Sequence, residues 1–233
     1  MVTFFAAAGR YELRQSQDGQ YPVVILRDQE YALDIWEMII WSSLMWRVLT
    51  YDELHREFYA KEREAHVLSD ISLEGYLKRL QQRGLVVSGR GYTAVEALYD
   101  LVAKLYVFPL REGLLTKLAA FFHLTFDRKV PFAVTRKIFV PPLMTPLEEQ
   151  LFALAEQALL TAEELIRCVD GGVTDISTEQ KLLTALYPDG PPAPGEGSCF
   201  DFALSPNRLK VTEAIVNLYL QKLILFEPMK DQL

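Results

Sequence analysis

Apolar residues recur at two spacings along the chain, and the spacing separates strands from helices. Tyr11-Glu12-Leu13-Arg14 and Tyr21-Pro22-Val23-Val24-Ile25-Leu26 have strand character and flank Gln17-Asp18-Gly19-Gln20. Asp-Gly between two such runs predicts a hairpin. From Leu33 to Trp46 the pattern becomes helical and apolar on nearly every side, through Ile35, Trp36, Ile39, Ile40, Leu44 and Met45. A helix of that kind belongs at the centre of a fold. Thr50 and Glu53 form a capping-box pair that starts the next helix, with Leu54 and Phe58 on its inner face. Ser72 opens a third helix, whose apolar stripe is Leu73, Tyr76, Leu77 and Leu80. Gly84 ends it. Leu85-Val86-Val87 reads as a strand, Ser88-Gly89-Arg90-Gly91 as a tight turn, and Tyr92-Thr93 as the start of a return strand.

Beyond this point a helix is expected from Ala94, with Val95, Leu98, Leu101, Val102 and Leu105 facing inward and Pro109 stopping it. Another is expected over Glu112 to Leu124. Residues 126–144, with Pro131, Pro141 and Pro142, read as a linker between a first domain (1–125) and a second (145–233). Thr145 and Pro146 make a helix start of the second domain. A Pro/Gly-rich insertion covers 188–198, and a last helix at 211–222 leads into a strand at Leu223 to Phe226. The halves share a pattern. Leu49 to Leu54 resembles Leu160 to Leu165, an offset of 161 − 50 = 111, and Leu77 to Val87 resembles Val216 to Phe226, an offset of 222 − 83 = 139. The difference of 28 would be accounted for by an insertion in the second copy, roughly residues 175–210, that contains the Pro/Gly-rich stretch.

The 233 residues suit one large or two small domains, and a composition that is 50% hydrophobic supplies a sizeable core. No uncharged apolar run of 18 residues occurs, so no membrane span is expected. Residues 1–10 lack the basic start of a signal peptide, and Cys168 and Cys199 suit reduced thiols, so a cytoplasmic location is expected. The net charge is −7, which makes the local distribution of cations more informative than the total. Residues 71–92 carry Lys78, Arg79, Arg83 and Arg90 against Glu74 alone, whereas 161–229 hold five Lys/Arg and ten Asp/Glu.

With its apolar stripe buried, the third helix would turn Ser72, Gly75, Lys78, Arg79 and Gln82 outward, with Arg83 at its end and Arg90 in the turn. Arg and Gln read base edges in the major groove and Lys neutralises phosphate, so this face suits duplex DNA. It equally suits the solvated side of any amphipathic helix. The three-helix core, the run Leu77-x-x-Leu80-x-x-x-Gly84-Leu85-Val86 and the glycine turn with Arg90 together resemble bacterial winged-helix transcriptional regulators. The penicillinase-repressor and MarR-like groups are the nearest, over residues 33–105. The resemblance implies a DNA-binding homodimer in which residues 94–124 form the dimer interface. The expected fold is therefore mainly α with small β-hairpins (α+β), as tandem winged-helix domains with a degenerate second copy. That acidic copy is expected to pack or dimerise, since phosphate would repel it.

Enzyme signatures are missing: no phosphate-binding loop, nucleophile elbow or dinucleotide fingerprint is present. Glu62 and His66 are four apart and suit a solvated ion pair more than a metal site. No cofactor or metal is expected. The alternative to DNA is a peptide- or protein-interaction module, because a hairpin followed by three helices also resembles small winged-helix domains that capture leader peptides as an added strand beside the third helix.

Overall fold

The computed structural model describes residues 1–16, 19–66, 69–110, 143–187 and 205–229. The expected helix at 112–124, the cations Arg128, Lys129, Arg136 and Lys137, the hairpin turn at 17–18, Cys199 and the 188–198 insertion lie outside them. The described residues form an α+β fold with small antiparallel sheets. The elements are β1 (Val2–Ala7), β2 (Arg10–Ser16), β3 (Gly19–Leu26), β4 (Gln29–Ala32), α1 (Ile35–Leu44), β5 (Leu49–Thr50), α2 (Tyr51–Ala65), α3 (Leu73–Gln82), β6 (Val86–Gly91), α4 (Ala94–Val102) and β7 (Leu105–Pro109). They continue with α5 (Pro146–Gln157), β8 (Leu160–Thr161), α6 (Ala162–Asp170), α7 (Glu179–Leu186), α8 (Arg208–Leu220) and β9 (Ile224–Pro228).

Local signals are realised where they were read. The hairpin forms, with Tyr11 opposite Val24 and Ser16 opposite Gly19, and β4 adds to it. Thr50 and Glu53, Thr145 and Glu148, and Thr161 and Glu164 each close a reciprocal capping box. Leu73, Tyr76, Leu77 and Leu80 are all buried. Gly84 ends α3 at φ +70°, with its N–H donating to the Gln81 carbonyl and the Leu85 N–H to that of Leu80. This is the paired C-terminal closure that a left-handed residue permits.

The chain departs from expectation where a strand needs a distant partner. No turn forms at 88–91 and no return strand at 92–93. Val86–Gly91 is one strand, and its neighbour is β1, in the order β5-β1-β6 with Phe4 opposite Gly89 and Phe5 opposite Ser88. Gly89 and Gly91 serve close packing instead of a turn: a β-carbon on Gly89 would sit 2.6 Å from Leu101 Cα in α4. Thr93 caps α4, with its side chain accepting from the Glu96 N–H. That helix ends at Val102, and Leu105 lies in β7, which pairs with β8 and β9 of the C-terminal half in the order β8-β7-β9. β7 therefore joins the sheet of the C-terminal half, although it lies before the stretch expected to link the two domains.

β1 divides two cores. Ala6 packs with Leu101, Leu154, Ile215 and Phe226 on one side. Phe5 and Ala7 pack with Trp41, Phe58 and Leu80 on the other. Alternation at period two lets one strand serve both, and the small Ala6 and Ala7 let both cores approach. Tyr219 of α8 closes the seam. It is fully buried, its hydroxyl accepts from the Trp46 N–H at 3.1 Å, and the carbonyls of Ala7 (3.0 Å) and Leu44 (3.1 Å) surround its proton. Trp46 itself is held at φ +55°. Tyr219→Phe is expected to lower stability by about 2 kcal/mol by taking the acceptor from the Trp46 N–H and this donor from the Ala7 carbonyl, while the Leu44 carbonyl keeps the Arg47 N–H. Denaturant unfolding measures it, and an unchanged midpoint contradicts the role.

Candidate nucleic-acid interface

The outward face of α3 is polar throughout. Glu74, Lys78, Arg79 and Gln82 are its exposed residues, and all its large apolar side chains face the core. The stripe at i, i+3, i+4 and i+7 causes this, since what remains on the helix must face away. The side chains of Lys78, Arg79 and Gln82 make no hydrogen bond or ion pair among the described residues. Ser72 is exposed, but its hydroxyl is engaged as the N-cap and accepts from the Gly75 N–H at 3.3 Å. Gly75 is half-buried, and a β-carbon there would run into the Ile71 side chain. The glycine accommodates Ile71 and is not an open approach for a ligand.

Arg83 does not belong to this face. Its Nη1 donates to Glu37 Oε2 at 2.9 Å and its Nη2 to the Ala32 carbonyl at 2.8 Å, while the guanidinium lies 5.5 Å from the centre of the Tyr31 ring. It fastens the end of α3 to α1 and β4. Arg90 is exposed but lies on strand β6, not at a turn tip. Gly89 and Gly91 face α4, so Ser88 and Arg90 face the α3 side, where Gln81 Nε2 donates to Ser88 Oγ at 2.9 Å. The Arg90 N–H donates to Asp100 Oδ2 at 2.9 Å. Burial pushes the Asp100 carboxyl up, but Lys104, 2.8 Å away, and the Arg90 N–H together bring it below its ordinary range. The cations left on the α3 side are Lys78, Arg79 and Arg90.

Three neighbouring residues carry no signal in the cation pattern. The Tyr51 hydroxyl of α2 donates to the Glu74 carboxylate. That bond holds the carboxyl below its ordinary range, while burial and Glu74 push the Tyr51 hydroxyl up to about 12. Tyr51, His55 and Tyr59 form a column of rings one turn apart, with centroids 5.9 and 4.4 Å apart. Their i, i+4, i+8 spacing was visible in the sequence; the link to Glu74 was not.

The remaining expected features lie elsewhere in the fold. Glu62 is buried and accepts from the Ser69 N–H (2.6 Å) and hydroxyl (2.5 Å), so it does not form a solvated pair with His66. Cys168 is buried, which pushes its thiol up to about 11. α4 was expected to supply part of a dimer interface. It lies against β6 with Ala97, Leu101 and Val102 buried, the Arg208 guanidinium of α8 covers its Tyr99 at 3.7 Å, and Ala94, Val95 and Glu96 stay exposed. In α8, Val211, Thr212, Ala214, Ile215, Val216, Leu218 and Tyr219 are buried, so little of it is open to a ligand. No helix among the described residues is long and apolar enough to cross a membrane.

Comparison with known proteins returns no match to a family model, a curated protein or a solved structure.

Proposed function

We propose that the chain is a DNA-binding transcriptional regulator and not an enzyme, built from two unequal winged-helix units, with α3 of the first unit entering the major groove. The observation that carries this reading is the outward face of α3, which is polar along its length and has Lys78, Arg79 and Gln82 uncommitted. Such a face offers phosphate neutralisation and base-edge hydrogen bonds. It offers no apolar groove for a peptide. The outward N–H of Arg90 on the β6 edge is also already taken by Asp100, which works against a peptide strand adding there.

Support for two related units comes from their sheets. Each places a two-residue strand, an upstream strand and the strand after a helix in the same antiparallel order. Phe4 faces Thr50 as Tyr106 faces Thr161, and each threonine caps the helix that follows. Lys222 ends α8 at φ +64° with the same two closing hydrogen bonds that Gly84 gives α3. Backbone geometry thus aligns Gly84 with Lys222, an offset of 222 − 84 = 138, and Ser88 with Phe226, 226 − 88 = 138. The residue pattern had aligned Arg83 with Lys222. In this reading β1 and β7 occupy the place of a wing's return strand, and the second unit supports the first instead of touching DNA.

The test is binding to random duplex DNA across a salt series. The expected result is binding at low salt that weakens steeply as salt rises. Lys78→Ala and Arg79→Ala should each reduce the salt slope by about 1. No binding at low salt would overturn the reading. The ratio of chains to duplex in the same experiment measures whether a homodimer binds.

A further inference from the structure

We infer that Glu74 is a base-reading residue of the α3 face, and that Tyr51 is the residue that positions it; this rests on the DNA-binding reading above. Glu74 is the second residue of α3, after the Ser72 cap and Leu73. Recognition helices bring their N-terminal residues to the base edges. Glu74 is exposed on the same face as Lys78, one turn further on. Its place in the first turn suits the helix dipole, but on a phosphate-facing surface the carboxylate carries a cost. It weakens association with every duplex unless a base donor meets it.

Tyr51 prepares it for such a donor. The Tyr51 hydroxyl engages the carboxylate, and the ring column with His55 and Tyr59 fixes the tyrosine on α2. An ionised carboxylate has about four acceptor positions; the Tyr51 hydroxyl, the Ser72 hydroxyl and the Glu74 N–H draw on some of them and leave room for one ligand donor. In the major groove the donors are the N4 amino group of cytosine and the N6 amino group of adenine. Adenine places the N7 acceptor beside its amino group, which a carboxylate disfavours. Cytosine presents the donor without that acceptor. The ligand class is therefore duplex DNA with cytosine at the position facing the start of α3.

The experiment is selection from a randomised duplex library followed by sequencing, with binding to the unselected pool measured across a salt series. Wild type should enrich cytosine at one position on the order of tenfold. Glu74→Gln should move that preference toward adenine, whose N6 and N7 a glutamine side chain meets together. Glu74→Ala should flatten the position and bind the unselected pool more tightly. Tyr51→Phe should weaken the preference at that position alone and leave the salt slope unchanged, which a general loss of structure would not do. If wild type binds DNA but has no such position, or if the Glu74 variants keep the wild-type preference, Glu74 does not read a base. If wild type binds no DNA at low salt, the DNA-binding reading fails and takes this one with it.

Discussion

Gly89→Ala is expected to cost about 3 kcal/mol or more, at or above the upper end of ordinary overpacking. The added methyl would meet the Ala97 carbonyl oxygen, the Leu101 nitrogen and the Leu101 α-carbon, all backbone atoms of α4. Backbone cannot rotate aside as a side chain can, so α4 or β6 must move. Both are tied down. β6 is hydrogen-bonded along its length to β1, and α4 carries Leu101 and Val102 into the C-terminal core. Gly91 faces the same constraint, with Ala97 N 2.5 Å from its would-be β-carbon. A useful control is Gly171→Ala, where the nearest atom is the Arg167 carbonyl oxygen at 3.3 Å. That change should cost little. Urea unfolding of both variants measures the difference, and equal midpoints would mean that α4 is not seated on the glycines.

The second large effect is expected at Arg83. Arg83→Met should lower stability by about 2–3 kcal/mol, below the usual range for a broken buried pair because Arg83 retains some exposure. Glu37 is only 6% exposed, so the loss leaves a carboxylate in the protein interior without its cation. It would keep only the Asp34 N–H, at 3.2 Å, as a partner. Lysine should rescue poorly, since a point charge cannot bond Glu37 and the Ala32 carbonyl while lying over Tyr31. A cycle with Glu37→Gln isolates the coupling: the double variant should lose clearly less than the sum of the singles. The same variant separates two roles for Arg83. Lowered stability with an unaltered DNA salt slope supports the clamp. An unaltered midpoint with a reduced slope would instead assign Arg83 to the face proposed to meet DNA.

These residues mark where sequence pattern informs and where it stops. Capping boxes and the α3 stripe were legible because their partners lie within a turn or two. The outward direction of Lys78, Arg79 and Gln82 followed from the same periodicity. The clamp made by Arg83 had no signal in the sequence, because its partner, Glu37, is 46 residues away and no local rule links them. Ser88 to Gly91 was misread as a turn because glycine permits tight turns and tight packing alike, and only the position of α4 decides between them. Residues 1–10 were read for a signal peptide, yet they contain the strand between the two cores. Alternation there is muted because apolar side chains occupy both faces, Phe4 and Ala6 on one and Phe5 and Ala7 on the other. Leu105 to Pro109 was assigned to a helix and its stop, although its pairing partners lie more than 50 residues on.

The double duty of β1 has a consequence for how the protein is made. This strand leaves the ribosome ahead of every segment it packs against. Its edge partners follow by Gly91, so the half containing Trp41 and Phe58 can close around one of its faces early. The other face must wait for α8 and β9. The Tyr219 hydroxyl bonds a carbonyl 212 residues upstream, and the Gly9 N–H donates to Phe226. Until α8 and β9 are made, Phe4 and Ala6 lie on an apolar surface awaiting its cover. The nascent chain is most exposed to aggregation and proteolysis in that interval.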